Sequence, residues 1–107
     1  MTKVKVLAGA CGFTTMIDVI KLDRSKVEIS VDSPCEMVQA FSHSLPSPLQ
    51  WMKVFAKVKD SLVFEATHDN LKHSDCPVPV ALIKAVMVEM GAMLPKDATI
   101  VFIKEDC

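Results

Sequence analysis

The chain carries four cysteines, Cys11, Cys35, Cys76 and Cys107, separated by gaps of 24, 41 and 31 residues. None forms a C-x-x-C pair, so the spacings of zinc ribbons, thioredoxins and bacterial ferredoxins are absent. Any shared chemistry therefore depends on the fold gathering them. Three occupy positions where a chain turns or a helix begins: Cys11 between Gly9 and Gly12, Cys35 after Pro34, and Cys76 before Pro77. A thiol on the first turn of a helix faces free N–H groups and the positive end of the dipole, which lowers its pKa and raises the thiolate fraction. Thiolate is the form that ligates zinc, Cu(I) and iron–sulfur clusters. Pro34 and Pro77 stiffen the backbone beside two of the thiols, and Gly12 lets the chain approach a bulky group closely. His73 and Asp75 stand just before Cys76 and could complete a four-ligand set. Cys107, at the frayed terminus, reads as incidental. The seven methionines read as core filler and not as a copper site, and Trp51 reads as a core or interface anchor.

The elements that must position these residues follow from periodicity. Lys3-Val4-Lys5-Val6 alternates as a strand with one solvated face, Thr14–Lys21 is rich in β-formers, and Lys26–Val31 alternates again after the turn Leu22-Asp23-Arg24-Ser25. These predict a three-stranded antiparallel meander. Such a meander returns the end of its third strand to the end of its first, so Cys11 and Cys35 share one edge of the sheet. Ser33-Pro34-Cys35-Glu36 reads as a helix start with Ser33 as N-cap. Pro46 and Pro48 close that helix and open a second, with Leu49, Met52 and Phe55 on one face; a third spans about 60–71. The longest runs from about Pro77 to Met90 with Gly91 closing it. If it begins over the Cys11 edge, three thiols meet. Ala98–Ile103, without polar alternation after Thr99, predicts a last strand buried on both faces and parallel to the first. The expected architecture is one α+β domain over residues 1–107, with helices on one face of the sheet.

Composition narrows the function classes. Half the 107 residues are apolar, which suits one folded domain and excludes a disordered chain. A net charge of −1 lacks the positive excess that non-specific nucleic-acid binding or an anionic membrane surface demands. No run approaches the roughly 20 apolar residues of a membrane span, and the apolar stretch after Lys5 is too short for a signal peptide. The expected location is the cytoplasm, where thiols stay reduced and clustered cysteines point to metal or redox work. No serine–histidine–carboxylate arrangement, paired carboxylates or phosphate loop is visible, so a turnover enzyme is not expected.

Ala10-Cys11-Gly12, then Cys35 opening a helix after a meander, then Cys76 opening a long helix with Ala81-Leu82-Ile83-Lys84-Ala85, resembles the iron–sulfur cluster assembly scaffolds of the IscU and N-terminal NifU type. The resemblance covers roughly residues 4–93. It implies an IscU-like fold in which Cys11, Cys35 and Cys76 ligate a [2Fe–2S] cluster, flanked by Gly12 and Phe13, with His73 or Asp75 as the fourth ligand. The implied role is scaffold, carrier or electron-transfer module, and the implied partners are a sulfur donor and an apo-protein acceptor. The chain differs from that family in three places. Phe13 stands where the family has Asp, Asp75 where it has His, and the family's Leu-Pro-Pro-Val-Lys segment before the third cysteine is missing. Phe13 implies a drier, more retentive site. The residues leave three other readings open: a zinc site of three thiols plus His73, a thiol or persulfide relay, and an interaction domain with structural cysteines.

Overall fold

The computed structural model describes residues 1–105, so Cys107 lies outside the described residues. Three strands form the expected meander: β1 (Thr2–Leu7), β2 (Thr14–Lys21) and β3 (Lys26–Asp32). Their register pairs Val4 with Ile17 and Ile17 with Val31, so Val4, Ile17 and Val31 line one row on the inner face. Lys5, Met16 and Asp32 line the adjacent row on the outer face, by the two-residue period of a strand. Burial follows that alternation. Ile17, Val19 and Val27 are fully buried, whereas Lys3, Lys5, Met16 and Glu28 are exposed.

Helix α1 (Glu36–Ser44) follows the meander, and then a two-residue strand β4 (Leu49–Gln50) pairs with the start of β3 through Val27 and Leu49. The sheet order is thus β1-β2-β3-β4, antiparallel throughout. The proline-flanked segment expected to be wholly helical supplies this strand before a single helical turn, α2 (Trp51–Val54). The reason is local: Leu49 is fully buried against Val27, and an open β3 edge satisfies backbone groups that Pro46 and Pro48 leave outside any helix. Helices α3 (Leu62–Asn70) and α4 (Val78–Glu89) complete the layer. Phe41 of α1, Val63 of α3 and Leu82, Ala85 and Val86 of α4 are buried with the inner face of the sheet in one core.

The direction of α4 decides where the thiols lie. Near its C-terminus, Glu89 accepts hydrogen bonds from the Thr2 hydroxyl and the Lys21 backbone N–H, both at 2.8 Å. Thr2 and Lys21 mark the far end of the β1–β2 pair from the Leu7–Thr14 end. Because α4 packs on β1 and β2, its first turn lies at the Leu7–Thr14 end. Gly91, at φ +79°, closes the helix, with Ala92 N–H on the Met87 carbonyl and Gly91 N–H on that of Val88.

The last expected strand is corrected. Residues 98–103 form no strand, parallel to β1 or otherwise, and Ile100, Val101, Phe102 and Ile103 are exposed. A tight turn at Pro95, with Lys96 N–H on the Leu94 carbonyl, precedes the segment, which meets no sheet edge of its own chain. β-propensity alone does not make a strand, which needs a neighbouring strand to pair its backbone groups.

Candidate functional site

Cys11 ends a single 3₁₀ turn, Gly9–Cys11, inside the β1–β2 loop. Gly9 and Gly12 both have positive φ, at 80° and 75°, and the Gly12 N–H closes the turn on the Gly9 carbonyl. Side chains resist that backbone region, so glycine at both flanks presents Cys11 outward. Cys11 and Phe13 are exposed.

Cys35 is the N-cap of α1, with no side chain capping the helix. The expected N-cap, Ser33, works differently. Its Oγ accepts a bond from the Thr15 hydroxyl at 2.9 Å and one from the Cys35 N–H at 3.2 Å, while its carbonyl accepts one from Gln39 Nε2 at 2.8 Å. Thr15 and Ser33 are both buried, which makes this pair a fixed strut between β2 and the β3–α1 turn. Cys35 is therefore held against the β2 end that leads into the Cys11 loop. Sequence reasoning missed Thr15, Gln39 and this role of Ser33. A threonine on the apolar face of a strand, one position into β2, was the available signal.

Cys76 stands two residues before α4, whose N-cap is Pro77. Its N–H reaches the His73 carbonyl at 3.3 Å, while the His73 and Asp75 side chains stay exposed. Burial pushes the Cys76 thiol above its ordinary 9.0, outweighing a Val78 N–H that favours the thiolate; Cys35, Cys11 and Asp75 add electrostatic repulsion in the same direction. The expected depression of this thiol pKa is thus corrected, since half-burial costs the anion more than one N–H returns.

The three thiols, none in a disulfide, share one end of the sheet. Among the described residues, no three His, Cys, Asp or Glu side chains stand close enough as placed to hold a metal ion. The donor types suit a soft metal. Two shallow cavities, one between α1 and α3 around Leu45 and Leu62, the other on the outer sheet face around Asp18 and Ile20, are lined by no cysteine.

A family model described as a family of unknown function, DUF6951, matches residues 2–102. The chain belongs to this family. No curated protein and no solved structure matches it. The family match spans all three thiols and every element of the fold. No described helix is long and apolar enough to cross a membrane.

Proposed function

We propose that this protein binds an iron–sulfur cluster through Cys11, Cys35 and Cys76, on an IscU-like fold, as a carrier, scaffold or electron-transfer module in the cytoplasm. One observation carries the reading. Three cysteines far apart in sequence stand at three separate junctions, the β1–β2 loop, the β3–α1 turn and the approach to α4, which the sheet register and the direction of α4 bring toward one end of the sheet. His73 and Asp75, exposed beside Cys76, are the candidates for a fourth ligand. Its partners would be a sulfur donor and an apo-protein acceptor. The cluster, when bound, would supply reversible one-electron chemistry. The chain's own part is to hold and release protons: Cys76 is protonated at neutral pH, so loading expels its proton and strengthens as pH rises. The raised Cys76 thiol also counts against its acting as the nucleophile of a sulfur relay.

The test is anaerobic purification followed by absorption spectroscopy and iron, sulfide and zinc analysis of the wild type and of Cys11→Ser, Cys35→Ser and Cys76→Ser. Each substitution should cost at least about tenfold in metal retention, the scale seen even for groups that only support a ligand. A colourless protein with one bound zinc would replace the cluster by a zinc ion of Cys₃His type. Metal-free protein after reconstitution, with three thiols that react independently, would sink the metal reading.

A further inference from the structure

We propose that residues 98–103 dock as a strand on the open edge of β1 in a second copy of this chain, each copy giving its segment to the other. The inference is independent of the thiols. Thr99-Ile100-Val101-Phe102-Ile103 is built of β-branched and aromatic residues, the types that favour strands. Yet Ile100, Val101, Phe102 and Ile103 are 88, 71, 94 and 84% exposed. Four such consecutive side chains in water form an interaction surface and not a solvated tail. The family match continues to residue 102, so the segment belongs to the shared pattern of the family.

The receptor is equally specific. β1 is the outermost strand at one side of the sheet, so one row of its backbone N–H and C=O groups has no sheet partner. Strand addition satisfies that row and the matching groups of residues 98–103 together. The other outer strand, β4, is only two residues long and offers no comparable row. Side chains fit as well. On β1, Lys3 and Lys5 occupy the solvated face, whereas Val6 is buried and Val4 half-buried toward the helices. Alternation lets Ile100 and Phe102 extend that apolar inner face while Thr99 and Val101 lie beside the lysines.

The occupant is a second copy because the segment stands clear of its own sheet. Glu89 pins the end of α4 beside Thr2, Gly91 and the Pro95 turn follow, and residues 100–103 then stand exposed and outside the four-stranded sheet. Reciprocal exchange doubles the contact. Two such strands, each pairing its backbone and laying Ile100 and Phe102 on the inner face, bury on the order of 1,000–1,500 Å² in total, the size of a specific interface. The pairing closes on itself as a two-fold dimer and leaves neither β1 edge open.

The test is light scattering after size exclusion, at micromolar concentration, in reducing buffer with a chelator so that neither disulfides nor metal can bridge copies. The wild type should have the mass of two chains. Ile100→Asp and Phe102→Asp should each have the mass of one chain, with the helical signal in circular dichroism kept and only the small strand signal of the docked segment lost, because the segment adds nothing to the monomer core. A mixture of differently isotope-labelled copies should show nuclear Overhauser contacts between β1 of one copy and residues 98–103 of the other. A wild-type monomer, a dimer that survives both substitutions, or β1 contacts confined to one chain would each overturn the proposal.

Discussion

The two ends of α4 are built for opposite purposes. At its C-terminal end, Glu89 bonds to Thr2 and Lys21, and Gly91 closes the helix through two backbone bonds. The hydrogen bonds hold the Glu89 carboxyl below its usual 4.5. At its N-terminal end no side chain caps the helix, and Cys76, Cys35 and Cys11 carry no disulfide. The first end commits its polar groups to holding helix against sheet. The second keeps its donor atoms uncommitted while the buried Thr15–Ser33 strut holds the backbone beneath them. On the function proposed above, stability and chemistry are separated along one helix, with the donor atoms at the end that makes the fewer side-chain bonds.

The largest expected effect comes from breaking what joins the two ends. Leu82, fully buried at the middle of α4, packs against the sheet core. Leu82→Ala should cost about 3 kcal/mol in urea unfolding, and both ends should loosen together in hydrogen exchange. If only one end responds, α4 does not couple them.

Thr15→Val sharpens the comparison at the thiol end alone. It leaves the buried Ser33 hydroxyl without its donor and should cost about 1–2 kcal/mol. Labelling of Cys35 by a thiol reagent should accelerate while exchange near Lys21 stays unchanged.

Glu89→Gln probes the other end and should cost about 1 kcal/mol at neutral pH, after allowance for solvent screening. Because the folded-state pKa lies below the ordinary 4.5, the carboxylate's contribution is complete above that value and lost as pH falls through the folded-state value. The difference between wild type and variant should therefore shrink on acidification below 4.5 in a series of urea midpoints.

The smallest effect is alkaline. Cys76 is raised above 9.0, so its neutral form favours the fold below that pH, and the benefit is lost as pH rises toward the folded-state value. Metal-free wild type should lose stability above pH 9.0 more steeply than Cys76→Ser, which has no thiol to ionise.

Legibility followed interaction range. The meander could be read because alternation in Lys3–Val6 and Lys26–Val31 admits one register with the apolar face inward, and the register places Thr15 beside Ser33 as that pairing requires. The placement of Cys11 and Cys35 at one end of the sheet follows from it. β4 could not be read, since two residues carry no period. The raised Cys76 thiol is not legible in the sequence, because a helix start is visible there but the burial around it is not.

What the sequence by itself determined is which segments can be strands and helices, through periodicity, glycine and proline, and that the thiols sit at their junctions. Only the tertiary structure decided the direction of α4, set by Glu89 reaching Thr2 and Lys21, and the fate of residues 98–103. Propensity belongs to a segment, whereas pairing, burial and the pKa of a thiol belong to its neighbours, and those neighbours arrive from distant parts of the chain.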